Sequence, residues 1–500
     1  MTHPGIPPRT GTPATARGRV KEVVIGLDVG TTAVKAVAFG VDAPWRHLAV
    51  CEIDPGPVQD TARIAAAITK SLAQCVYACA DARVLAVSVS TAMHGLIALD
   101  ADMRPLTPLL TWADGRAADQ ARKLHTSGQA AELHRVSGTP VHPMTPLAKL
   151  LWFREHDPDL WARARWWVGL KDYALWRLTG TLVTELSSAS GTGMLDMAAR
   201  DWNPAALRLT GVGPDRLPRI LPTTAVLEIS PTTAWDTGLA VGTPVVTGAA
   251  DGPLGNLGTA ATAPGMAGLS LGTSGAVRAV VPEPYADPEG RLFSYALTDS
   301  AWVIGGAISN GGAVVRWAGD VFASDIPAGP HRDTALLELA AAVPPGSDGL
   351  VMRPYLLPER APLWDPDLRG AYLGLSHRHT RGHFVRAAVE AVALRLAAIV
   401  DDLERVHPVT AVRVTGGAFR SPLWRSVVAA MVDRPTVFTS GAEGSALGAA
   451  ALALYALGRA PTLDAAPALL DPASAEGDVV VTSAADVDTY RAMRAQAADG

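Results

Sequence analysis

Apolar runs cut by short glycine turns set the pattern of this chain. Residues 23–40 read VVIGLDVGTTAVKAVAFG. One apolar run, Val23 to Leu27, ends on Asp28, and a second follows a Gly-Thr-Thr turn and carries a single cation, Lys35. That pattern predicts two strands joined tightly. A buried acid at the end of a hydrophobic strand is costly unless it has work to do. The turn lacks the G-x-x-x-x-G-K-[ST] spacing of a P-loop, and Gly and Asp are ordinary turn residues, so the stretch alone does not settle its role.

Further β-like runs appear at 84–90, 242–251, 266–275, 301–309 and 411–419, and helical patterns at 115–125, 145–156, 382–406 and 421–432. The alternation predicts an α/β architecture. One internal echo stands out: GLDVGTTAVKAV recurs as GLSLGTSGAVRAV at 268–280, with Arg278 in the place of Lys35. Gly30 and Gly272 lie 242 residues apart, a domain-scale offset too long for a solenoid repeat. Two related domains, each opening on the same hairpin, are expected, with the boundary near GTAATAPG at 258–265. The expected division is a disordered tail over 1–20, an N-terminal domain over 21–262, a C-terminal domain over 263–460 and an extension over 461–500 that packs on them.

Composition narrows the partners. The 500 residues exceed what one core organises. A net charge of −5 gives no footprint for nucleic acid, and no apolar run is long enough to span a bilayer. The first twenty residues have no apolar signal core. Three cysteines, Cys51, Cys75 and Cys79, are too few and too irregular for a disulfide framework, which fits free thiols in a reducing cytoplasm.

If the two hairpins face each other, phosphates fit between them. Backbone N–H groups and hydroxyls of Gly30, Thr31 and Thr32 would meet one side, and those of Gly272, Thr273 and Ser274 the other. Asp28 could hold Mg²⁺ through water, and Lys35 could reach a phosphate as a point charge. In VRVTGGAFRSPLW, the Gly416-Gly417 turn allows a flat base or a phosphate to approach closely, or serves only as a sharp strand-to-helix turn. Asp251, after an apolar strand and entering a helix, suits either a general base or an N-cap. His94, Trp112, Asp114 and Arg116 group residue types that recognise polyols, though each also has an ordinary structural reading. His377, His379 and His383 have no acid or Cys at ligand spacing, so a polar helix start is the better account than a metal site.

These motifs together resemble the FGGY carbohydrate kinase family. The resemblance runs from about 22 to 458 and includes Asp28-x-Gly-Thr-Thr, MHG, TWADGR, KDYALWRLTG, LGTSG, ERAPLWDPDLRGAYLGL, TGGAFRSPLW and EGSALGAA. It implies two actin-like, ribonuclease-H-like domains closing over ATP and a sugar or polyol. By motif, Asp251 matches the catalytic base and Asp28 the acid near Mg²⁺ and phosphate. Thr31, Thr32 and Lys35 match the first phosphate hairpin, Gly272 and Thr273 the second, and Gly416 and Gly417 the adenosine-side turn. His94, Asp114 and Arg116 fall in sugar-contacting segments. SGTPVHPMTPLAKLLWFREH at 137–156 is similar to the gluconokinase branch, which implies phosphorylation of D-gluconate to 6-phosphogluconate, with xylulose or another polyol as the alternative. Gly95 and Gly115 depart from that branch's usual residues, and Ala33 replaces a hydroxyl residue common after Gly-Thr-Thr. Lys149, Lys171 and Arg116 are the candidate partners for a substrate carboxylate. The expected partner is a small sugar acid, with neither nucleic acid nor membrane, and a homodimer is left open.

Overall fold

The structure, a computed structural model, describes residues 21–498 except residue 330 and residues 440–442; the tail expected over 1–20 lies outside them. The first half is built on a six-stranded sheet. Its strands are β1 (Glu22–Val29), β2 (Ala33–Gly40), β3 (Arg46–Glu52), β4 (Arg83–Thr91), β5 (Val226–Glu228) and β6 (Pro244–Val246), in the spatial order β5-β6-β4-β1-β2-β3. β1, β2 and β3 form an antiparallel meander, while β4 runs parallel to β1 and β6 parallel to β4.

The second half holds β7 (Met266–Leu271), β8 (Gly275–Val281), β9 (Phe293–Thr298), β10 (Ala301–Ile308), β11 (Ala411–Thr415), β12 (Thr436–Phe438) and β13 (Asp478–Val479), in the order β9-β10-β8-β7-β11-β12-β13. Here too the opening hairpin is antiparallel and two parallel strands, β11 and β12, continue on its other side. The echo between 23–40 and 268–280 is thus an echo of topology.

The helices used below are α1 (Thr61–Ala78), α2 (Pro146–His156), α3 (Leu170–Thr179), α4 (Asp251–Gly258), α5 (Gly312–Phe322), α6 (Arg381–Glu404), α7 (Pro422–Val432), α8 (Gly444–Ala456) and α9 (Ala484–Ala498). Strand alternation sorts β1 onto two cores. Val23, Ile25, Leu27 and Val29 join Ile64, Ile68 and Leu72 of α1, whereas Val24 joins the core that contains Leu254 of α4 and Ala446 of α8. α8 follows β12 of the second sheet in the chain, yet it packs on β1 and α4. Its backbone comes so close that a Cβ on Gly26 would stand 1.9 Å from the Ala446 carbonyl oxygen. Likewise a Cβ on Gly448 would stand 2.0 Å from that of Leu254. Gly26 interrupts a β-branched run because only a glycine admits this helix.

Past residue 460, β13 extends the second sheet, and α9 buries Tyr490, whose hydroxyl donates to Glu390 of α6 at 2.9 Å. His383 caps the start of α6, its Nδ1 accepting from the Thr380 backbone N–H at 3.1 Å while Nε2 lies 3.1 Å from Asp348. The three cysteines are free and buried. No helix among the described residues is long and apolar enough to cross a membrane.

Candidate active site

The chain turns twice at Asp251, once to leave the first sheet and once to enter α4. The approach is tight: Gly248 has φ +75°, and a Cβ there would meet the Val89 carbonyl oxygen at 1.9 Å. Ala250 occupies the N-cap and Asp251 the first helical position, so the carboxylate is not spent on a cap across the turn. Among the described residues it accepts only the neighbouring Gly252 N–H, at 2.8 Å. Burial first, and then the charge of Asp28, push its pKa up to about 6; Arg278 pulls the other way. A carboxylate so tuned is ionised at neutral pH and still basic enough to take a hydroxyl proton.

Asp251 stands where two cavities meet. The first, about 730 Å³, is walled by Thr31 and Thr32 of the first hairpin and by Gly272, Thr273 and Ser274 of the second. His94, Trp112, Tyr295 and Arg360 line it as well. The second cavity, about 750 Å³, is lined by Lys35, Gly416, Gly417 and the start of α8. Asp251, Gly252, Ser270 and Arg278 border both.

The hairpin turns are fixed by their own backbones. The Gly30 N–H donates to Ala33 at 3.0 Å and the Gly272 N–H to Ser274 at 2.8 Å. The second turn is also tied to α5, since the Gly312 N–H donates to Gly272 at 2.9 Å and Arg316 donates to the Thr273 hydroxyl at 3.0 Å. Gly416 has φ +124°, and a side chain there would strike the Leu271 carbonyl oxygen at 2.1 Å, so this turn requires glycine. Asp28 lies opposite Lys35 in the β1–β2 ladder and opposite Ser90 in the β1–β4 ladder. Ser90 Oγ donates to its Oδ1 at 2.7 Å. Burial raises the Asp28 pKa, while Ser90, Lys35 and Lys171 oppose that rise.

The residues expected to meet a sugar divide. His94 and Trp112 line the first cavity. His94 has φ +64°, a left-handed backbone that a non-glycine residue adopts only under constraint. Its Nδ1 donates to the Gly191 carbonyl at 2.7 Å, and burial lowers its pKa to about 3, so the ring is neutral and keeps Nε2 as an acceptor. Asp114 and Arg116 do not line the cavity. They pair with each other, Nε to Oδ1 at 2.9 Å, and Arg116 lies over the Trp152 ring at 4.8 Å.

Nor do the two candidate lysines reach the cavity wall. Lys149 Nζ donates to the carbonyls of Thr111 (2.7 Å), His94 (2.8 Å) and Leu110 (3.4 Å). Lys171 Nζ donates to those of Val89, Thr247 (2.9 Å) and Ala249 (3.1 Å). Burial lowers their pKa values to about 7 and about 8. Both moor the strand ends that carry the site. Conversely, the sequence reading gave no role to Tyr295 or Arg360; Arg360 sits inside the ERAPLWDP motif, which was its only signal.

Two facing sheets of matching topology, two glycine-hydroxyl hairpins and a tuned carboxylate between two cavities define an actin-like phosphotransferase. Residues 23–258 match the N-terminal domain, and residues 267–457 the C-terminal domain, of the FGGY family of carbohydrate kinases. The chain belongs to this family and is an ATP-dependent sugar phosphotransferase. It is 38% identical over 463 residues to the gluconokinase of Bacillus subtilis (strain 168), covering 88% of this chain and 89% of that one. A xylulose kinase of Staphylococcus epidermidis is 28% identical over 456 residues, covering 89% and 90%. Among solved structures, gluconate kinase from Lactobacillus acidophilus superposes with a TM-score of 0.88 at 30% identity, covering 96% of this chain and 97% of that one.

Proposed function

We propose that the acceptor is D-gluconate and the product 6-phosphogluconate. The observation that carries this reading is the charge of the first cavity. Arg278 and Arg360 both line it, and neither makes an ion pair within 4.0 Å among the described residues. A half-buried guanidinium with no directly paired carboxylate favours an anionic ligand. The similarity to gluconokinases supports the same acceptor.

In this reading Asp251 accepts the proton of the terminal hydroxyl as that oxygen attacks the γ-phosphorus of ATP. The ATP phosphates lie between the hairpins, with Thr31 and Thr32 on one side and Gly272, Thr273 and Ser274 on the other. Lys35 and Arg278 offset their charge. The adenosine side is received by Gly416 and Gly417. His94 and Trp112 flank the sugar, and Asp114 and Arg116 hold the loop that presents Trp112.

Asp28 and Asp251 supply carboxylate oxygens, the donor type that suits Mg²⁺, an ion held by one or two carboxylates, phosphate oxygens and water. Among the described residues no hydrogen bond engages Oδ2 of Asp28, which leaves it open to such a partner. When bound, the ion would neutralise phosphate charge. Dependence on ATP fits a cytoplasmic location.

The test is ADP release across a panel of D-gluconate, D-xylulose, glycerol and other polyols, with Asp251→Asn alongside. D-gluconate should be preferred, and Asp251→Asn should bind ATP normally while turnover drops by about 10³-fold or more. Preference for a neutral ketose would overturn the acceptor, and near-normal kcat in the variant would overturn the base.

A further inference from the structure

We infer that Arg360 reads the carboxylate of the acceptor and is the residue that makes the site selective for a sugar acid. This rests on the gluconate reading and names the partner that it leaves open. Lys149 and Lys171 are consumed by backbone carbonyls, and Arg116 is paired with Asp114 away from the cavity. Two cations remain on the wall of the first cavity, Arg278 and Arg360.

Arg278 acts more strongly on Asp251, and Arg360 lies by His94 and Trp112. Arg278 borders both cavities and is the largest opposing charge on Asp251; a Cβ on Gly252 would lie 3.2 Å from its Nε. It therefore attends the reacting end, where the terminal hydroxyl and the phosphoryl group meet. Arg360 lines only the first cavity, acts on Asp251 more weakly than Arg278 does, and lies over the Trp112 ring at 5.1 Å. An acid whose terminal hydroxyl is at Asp251 carries its carboxylate at the other end of the carbon chain. Arg360, by His94 and Trp112, is the cation left to meet it.

Its surroundings prepare it for an anion. Nε donates to the Ser309 hydroxyl at 3.1 Å and Nη2 to the Ile308 carbonyl at 2.9 Å, which orient the fork. No hydrogen bond engages Nη1 among the described residues. The adjacent Glu359 could have neutralised the guanidinium, but its carboxylate is turned to other donors. Oε1 accepts from the Ser309 and Arg360 backbone N–H groups at 2.9 Å, and Oε2 from Asn310 Nδ2 at 2.9 Å. Glu359 thus aligns the segment and supports the Arg360 charge through space, while no hydrogen bond between them ties up the fork. The Trp112 face packs against the guanidinium and restricts its orientation.

Arg360→Gln and Arg360→Lys test this, assayed with D-gluconate and with the neutral D-gluconamide. For Arg360→Gln the KM for D-gluconate should rise by about 100-fold while kcat at saturation and the KM for ATP stay within about threefold. The wild-type preference for D-gluconate over D-gluconamide should collapse. Arg360→Lys keeps the charge but not the fork and should recover about tenfold of the loss. A preference retained in Arg360→Gln, or a loss confined to kcat, overturns the assignment. Should the glutamine variant not fold, Arg360→Lys with an unchanged KM for D-gluconate overturns it equally. If wild-type enzyme ignores D-gluconate, the acceptor reading itself has failed, a result separable from failure of Arg360 alone.

Discussion

The Lys171 ammonium stands 3.8 Å from the Glu185 carboxylate, with the two side chains 1% and 0% exposed, directly beneath the loop that leads to Asp251. Removing one partner of a buried pair leaves an uncompensated charge, here with three carbonyls unmet as well. Lys171→Met should therefore lower stability by about 3–5 kcal/mol, read as the unfolding midpoint in denaturant. Where the variant stays folded, the KM for D-gluconate should change little. A large KM increase with an unchanged midpoint would instead make Lys171 a substrate contact.

The Asp251 carboxyl sets an acidic limit on turnover. Its pKa of about 6 means that the base is protonated below that pH, so kcat/KM should fall about tenfold per pH unit on the acidic side. Arg278 opposes the rise in that pKa. In Arg278→Gln the carboxylate loses that support, its pKa moves further up, and the acidic limb should shift to higher pH. A pH–rate profile of wild type and variant checks both statements. A limb that stays fixed or moves down would show that Arg278 does not act on Asp251.

The α4–α8 crossing should not tolerate a methyl group. A Cβ on Gly448 would sit 2.0 Å from the Leu254 carbonyl oxygen, and backbone cannot yield as a side-chain tip can. Gly448→Ala should cost about 1–3 kcal/mol by forcing the helices apart. Gly115→Ala, with nothing within 4 Å of its added Cβ, serves as the comparison and should melt like wild type. Equal melting of the two variants would contradict the close crossing.

Local features were the legible ones. Each hairpin followed from an apolar run and a glycine turn, and the pairing of Asp28 with Lys35 follows from the turn length. The helices expected at 145–156 and 421–432 appear as Pro146–His156 and Pro422–Val432, each with proline at its first position. The sequence shows a charge but not its burial, so Lys149 and Lys171 looked like ligand contacts when they are internal ties. Asp114 and Arg116, expected in sugar-contacting segments, bond each other and do not line the first cavity. Gly26 is explained only by a helix some 420 residues later in the chain, and Arg360 acquires meaning only beside Trp112, an approach no local pattern encodes.

Ser445, at the start of α8, donates its hydroxyl to the Asp251 carbonyl at 3.1 Å, and the glycines of α4 and α8 bring the two backbones together just behind that bond. The helix carrying the base is thereby bolted to a helix of the opposite half. The base is therefore seated by both halves at once, and its aim depends on their contact and not on the first sheet alone.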